Sequence, residues 1–222
     1  MATQTLRLPH TNTGRHDRHA LGRRLVWAGW VALVLAAITS VSVGPTGLTL
    51  SSLPQAISAA LSGSDSAADA YARLVLLEVR LPRMILGAFV GASLGVAGAM
   101  MQGLFRNPLA DPYTLGVASG SSVGAALVMT FGLQAMIGMW TVPAAAFASG
   151  LLTVLMVFVF ARSNGQMAVE TLILTGVIFQ AFLGAFVSLM ISMSDDEVNQ
   201  ILFWVLGSLS KRTWDHALLI VP

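Results

Sequence analysis

The chain has no cysteine among its 222 residues, so it can form no disulfide and offers no thiolate to a metal. Charge is almost as scarce. Only 10% of the residues are Asp, Glu, Lys or Arg, where a soluble domain carries about 25%. Lys and Arg number 12 against 10 Asp and Glu, and the net charge of +2 is too small for a nucleic-acid footprint. No glycine-rich loop ends in Lys-Ser or Lys-Thr, so no nucleotide phosphate site is expected. No catalytic constellation is visible either. His216 is the one histidine outside the first 24 residues, and its neighbour Asp215 points to another helix face. Neither a cofactor nor a metal site is expected. Met190, Met193 and Phe186 are read as packing residues rather than as ligands of a metal or haem.

What remains is apolar. Hydrophobic residues make up 55% of the chain, arranged in long runs that only lipid-facing helices can use. The fold class is therefore all-α, a polytopic transmembrane helix bundle. Residues 1–24 hold three histidines and five arginines at irregular spacing. They read as an unstructured, solvated basic tail, which places the N-terminus in the cytoplasm. The first span begins at Leu25 and lasts to about Val43. Residues 44–79 then read as an external loop, with a short amphipathic helix near 53–61. A second span is expected from Pro82 to Leu104, with Pro82 at the helix start, where its missing N–H costs nothing.

The run 112–161 carries no charge, enough for two crossings at roughly twenty residues each. Gly132, Gln134 and Gly138 mark the break between them, and Trp140 suits an interface. Spans are expected at 114–131 and 141–161, then a turn at 162–165, and a fifth span at 168–193. Ser194 or Asp195 is expected to cap a short helix over 196–209, with Ile201, Leu202, Val205 and Leu206 on one face. A sixth span starts near Thr213 and the chain stops at Pro222, so the sequence reads as truncated within it. In this topology seven basic residues lie inside and five (Arg73, Arg80, Arg83, Lys211 and Arg212) lie outside. That bias is in the cytoplasmic-N-terminus direction.

The stretch 80–124 is the most informative. It opens with Arg80-Leu-Pro-Arg83 and crosses an uncharged run to the polar turn Arg106-Asn-Pro-Leu-Ala-Asp-Pro112. Gly87, Gly91 and Gly95 precede the turn at four-residue spacing; Gly116, Gly120 and Gly124 follow it at the same spacing. Each set lies on one helical face, where small residues let backbones approach closely in lipid. Two closely packed helices are expected, against the plainer reading that glycine is simply common in membrane helices. In the turn, Asn107 and Asp111 each precede a proline, which biases them away from helix, and both can satisfy free N–H groups at the break. The alternative role for Asp111 is as a ligand for a coupling ion. Arg80 and Arg83 share a face and suit carboxylates on a partner, or else anchor a helix end and pair with Glu78.

These residues carry a resemblance. Arg80–Arg83, the Gly/Ala helix ending at Gln102, the 106–112 turn, Leu115-Gly116 and Ser119-Gly120 resemble the FecCD-type permeases of type II ABC importers. The later blocks Leu172-Ile-Leu-Thr-Gly176 and Ile201 to Ser210 do so as well. Such permeases handle iron–siderophore complexes, haem and cobalamin, and have about ten transmembrane helices. The resemblance implies that residues 25–222 are a transmembrane permease domain holding five complete helices and the start of a sixth. It implies a second permease subunit, cytoplasmic ABC ATPase subunits, a periplasmic or lipid-anchored substrate-binding protein, surrounding membrane lipid and no nucleic acid. It places the chain in the cell inner membrane as a multi-pass protein that is not itself an enzyme.

The resemblance also bears on single residues. It matches Arg80 and Arg83 to arginines that dock the binding protein. It favours capping over ion binding at Asp111, because ABC importers need no ion gradient. It makes the fifth helix and the turn before it, 166–171, pathway elements, with Glu170 and Gln180 as candidates. Their plainer roles are an interfacial charge and an interhelical hydrogen bond. The ATPase-coupling loop of the family lies between helices six and seven, beyond this chain. Ferric siderophore is the default substrate. An ion-coupled secondary transporter is the alternative reading.

Overall fold

A computed structural model describes residues 13–42, 54, 57–58, 67–162, 168–194, 197–209 and 212–220. Every regular element among the described residues is helical. Among the described residues, four helices are long and apolar enough to cross a membrane: Ala20–Ser42, Asp69–Phe105, Thr141–Phe160 and Val169–Met193. Contacts within the chain define two units, one of residues 1–85 and 212–220, the other of residues 86–211, so that the boundary falls inside one continuous helix.

In the first unit, α1 spans Thr13–Ser42. It starts well before the expected Leu25, so residues 13–24 are helical rather than unstructured. Nucleation is the costly step of helix formation, and a formed apolar span extends cheaply into an Ala-, Leu- and Arg-bearing flank. The next helix also begins early. Residues 67–80, expected in a loop, form α2 (Ala67–Leu74) and a π-helical turn (Val75–Arg80) that runs directly into α3 (Leu81–Phe105). Asp69 in the first turn of α2 suits the helix dipole, while Ala72, Val75 and Leu76 are buried. Pro82 therefore lies within a helix and not at its start. A proline ring clashes with the carbonyl four residues back. The wider π turn, in which Leu81 N–H donates to Leu76 O, moves the backbone to an i→i−5 register. Of the short helix expected over 53–61, only residues 54, 57 and 58 are described, all three helical. The remaining helix of this unit, α9, is Trp214–Ile220, where the sixth span was expected to start.

In the second unit, α3 ends at Phe105. A 3-10 turn (Pro112–Leu115) leads to α4 (Val117–Thr130), the short α5 (Leu133–Ile137), α6 (Thr141–Phe160), α7 (Val169–Met193) and α8 (Val198–Val205). The helix expected at 114–131 is thus only 14 residues long, about 21 Å at 1.5 Å per residue, against a hydrocarbon core of about 30 Å. Gly116 and Gly132, with φ of 74° and 62°, close its two ends. This short helix is central all the same: α6 and α7 both pack on it. Near one end, Ala125, Ala126, Val128 and Met129 join Val142, Ala146, Val187, Met190 and Ile201 in a buried cluster. Near the other, Leu115 meets Phe105, Ala110, Val157, Ala161 and Leu172.

Hydrogen bonds fasten the helix ends. Thr130 Oγ1 and Ser194 Oγ lie 2.9 Å apart, and Ser194 Oγ also donates to Met190 O at 2.8 Å. Ser194 closes α7 and ties it to α4; the N-cap of α8 is Glu197. Asp195 lies outside the described residues. Of the four apolar residues expected on one face of α8, Ile201 is buried, but Leu202, Val205 and Leu206 are exposed. The amides of Gln134 and Gln200 exchange two hydrogen bonds, at 3.4 and 3.2 Å, joining α5 to α8. Met190 packs in the core as expected, whereas Phe186 and Met193 are exposed.

Candidate functional site

The broken segment between α3 and α4 is built by local backbone chemistry. Arg106 takes the left-handed conformation that ends α3, with φ of 49°, uncommon for a residue with a side chain. Asn107 N–H reaches back to Gln102 O at 3.3 Å, the long bond of a Schellman-type stop. Asn107 Oδ1 then accepts from Leu109 N at 2.9 Å, an Asx turn that Pro108 leaves uncontested. Asp111 is extended and caps the 3-10 turn, its Oδ1 accepting from Thr114 N at 3.1 Å and its carbonyl from Thr114 Oγ1 at 2.8 Å. Pro112 sits at the first position of that turn, where no N–H is needed. Over these residues the α-helix is interrupted between Phe105 and Val117. The carboxylate of Asp111 caps the 3-10 turn through Oδ1.

The 3-10 turn is seated on α7. A Cβ on Gly176 would overlap the Thr114 carbonyl and lie 3.1 Å from Leu115 Cα. A Cβ on Gly116 would lie 3.4 Å from Gly176 O and 3.5 Å from Gln180 N. Gln180 is thus half-buried beside the point where the broken segment meets the fifth expected span. Glu170 is exposed in the first turn of α7, where its charge complements the helix dipole. Residues 166–167 of the expected gate turn lie outside the described residues.

The two glycine ladders behave differently. Gly120 and Gly124 lie against α6: a Cβ on either would overlap the Thr153 or Ser149 side chain, and on Gly124 also the Ala145 carbonyl. Gly150 faces back to Ser121. A Cβ on Gly91 or Gly95 would meet nothing within 4 Å, and one on Gly87 only Leu209 Cδ1, at 3.7 Å. Close packing by small residues was expected of both ladders; within this chain the structure shows it for the second. Gly120 and Gly124 of the ladder after the turn pack on α6, whose Ala146, Gly150 and Thr153 lie on one buried face, while Gly116 lies against α7. Gly150 and Gly176 were not singled out as packing residues. The small-residue spacing from Ala146 to Gly150 was the available signal for the first. Gly176 receives a loop rather than a helix and had no periodic signal.

Arg80 and Arg83 belong to the first unit. Arg80 is buried, at 7% exposure, and its guanidinium donates to Val41 O at the end of α1. That carbonyl is among the last four of its helix, which have no partner within it. Arg83, one turn on, is partly exposed. Arg83 Nε is buried, so the two guanidinium groups differ in setting.

The sequence profile of the FecCD transport family matches residues 32–222, nearly all of the described chain. The chain belongs to the FecCD transport family. Among individual FecCD-family relatives, an uncharacterized ABC transporter permease protein of Bacillus subtilis, YvrB, is 48% identical over 162 residues, covering 72% of this chain and 46% of that one. A cobalamin import system permease protein of Halobacterium salinarum is 33% identical, covering 92% of this chain and 64% of that one. A solved structure described as an inward-facing conformation of a metal-chelate type ABC transporter superposes with a TM-score of 0.68 at 30% identity, over 88% of this chain and 57% of that one. The chain spans about half the length of the curated relatives it matches. Its membership agrees with the resemblance drawn from the 80–124 and 172–210 motifs. With four apolar candidate spans among the described residues, this FecCD-family chain is a membrane protein of the ABC-permease class.

Proposed function

We propose that the chain acts as a membrane permease subunit of a binding-protein-dependent ABC importer and that its cargo is a metal chelate, with ferric siderophore as the first ligand to test. Two similarities support this reading: the family match over residues 32–222, which takes in the broken 106–116 segment seated on α7, and the structural likeness to a metal-chelate type transporter over 88% of this chain. In this reading a second permease subunit completes the pathway, separate cytoplasmic ATPases supply the energy, and a binding protein delivers the chelate. The chain lies in the inner membrane with its N-terminus in the cytoplasm. The half-buried Gln180 and the exposed Glu170 put polar atoms on α7, which lines the route.

Docking follows from the 80–83 stretch. Arg83 presents its guanidinium to carboxylates on the binding protein, and Arg80 holds the docking turn against α1. Rim charges act mainly on association. Arg83→Glu is expected to weaken binding-protein affinity about tenfold and to reduce chelate uptake in parallel. The readouts are surface-plasmon binding to the full permease in nanodiscs and uptake in cells. Unchanged affinity and uptake in Arg83→Glu and in the Arg80→Ala/Arg83→Ala double variant would remove the docking role.

A further inference from the structure

Pro82 leaves a carbonyl without its helical donor, and the structure supplies another. At the end of the π turn Leu81 N–H donates to Leu76 O, five residues back. In that register the donor to Leu77 O would be residue 82, and proline has no N–H. The indole Nε1–H of Trp214, 137 positions along the chain, donates to Leu77 O at 2.8 Å. Both residues are half-buried, so an acceptor left without a donor would be costly. The π turn is six residues long; such turns are rare, and they concentrate at functional sites. The same turn carries Arg80, buried on the Val41 carbonyl at the end of α1. Two segments distant in sequence thus hold it, α1 through Arg80 and α9 through Trp214.

We propose that the π turn with Pro82 is a hinge in the long 69–105 helix and that Trp214 is its latch. With the indole in place, the carbonyl that Pro82 strands is satisfied and the wide turn persists. When α9 withdraws, Leu77 O loses its donor and the turn must shift register or open to water. Displacement of α9 and bending at residues 75–82 are therefore coupled. This coupling goes beyond the transport reading and does not depend on it.

The test is amide hydrogen exchange over residues 78–86 of the full chain in lipid nanodiscs, in a double-mutant cycle. Trp214→Phe removes the donor. Replacing Trp214 by 3-benzothienylalanine removes only the N–H and keeps the ring shape, which separates the bond from packing. Pro82→Ala restores a backbone donor within the helix. Both replacements of Trp214 are expected to speed exchange about tenfold when Pro82 is present, and less than about threefold when residue 82 is alanine. No change with the benzothienyl isostere, or a rise of equal size in both backgrounds, would overturn the latch.

Discussion

Asp111 shows how much one carboxylate settles at a broken helix. Its Oδ1 caps the turn that opens at Pro112 and its extended backbone turns the chain toward α4. Asparagine caps about as well as aspartate, whereas alanine costs about 1 kcal/mol. Asp111→Asn is therefore expected to keep both thermal stability and uptake near those of the parent, and Asp111→Ala to lower the unfolding midpoint. Loss of uptake in Asp111→Asn with stability intact would return the ion-binding role. This residue was legible in the sequence because two prolines and a cap-forming side chain act locally. Arg80 was legible as a charge at a helix mouth but not as a buried one, because its partner, the Val41 carbonyl, is brought near only by tertiary structure. Trp214 carried no signal at all, since the need it meets arises at Pro82, in a distant part of the chain.

At the scale of elements, length and charge-free runs located the spans of α6 and α7 to within a residue or so. Helix joins were harder. The Asp69–Phe105 helix absorbs a proline by widening, and a 3.6-residue pattern cannot announce a π turn. The short α4 hid within one uncharged run because hydropathy counts residues and not the left-handed breaks at Gly116 and Gly132. Its packing on α6 is the element-level prediction. Lipid gives helices no hydrophobic drive to associate, so contact quality decides. A methyl at residue 124 would meet the Ala145 backbone, which cannot swing aside. Gly124→Val is expected to destabilise the α4–α6 pair by about 1–3 kcal/mol, and Gly91→Val by less than about 0.5 kcal/mol. Unfolding of the two variants in mixed micelles compares them. Equal losses would mean that glycine frequency, and not close approach, explains the second ladder.

For the whole molecule, two units share one continuous helix, and the motifs that mark the family fall in both. The first unit holds its turn through two hydrogen bonds distant in sequence, one donated by Arg80 to Val41 O and one accepted by Leu77 O from Trp214; the second holds a short central helix through glycine contacts and seats a broken segment on α7. An importer permease needs such a mixture of rigid contact and interrupted helix, since backbone that leaves the helical state at membrane depth is tolerated only within protein or beside a water-filled path. The central claim is energised movement of a chelate. The measurement that tests it most directly is uptake of labelled ferric siderophore, haem and cobalamin, side by side, in cells lacking the gene and in complemented cells, under ATP depletion and under a protonophore with ATP held constant. The account predicts that one chelate is lost on deletion and regained on complementation, that its uptake fails without ATP, and that it survives the protonophore. Survival of all three uptakes in the deleted strain, or uptake that follows the proton gradient while ATP is constant, would contradict it.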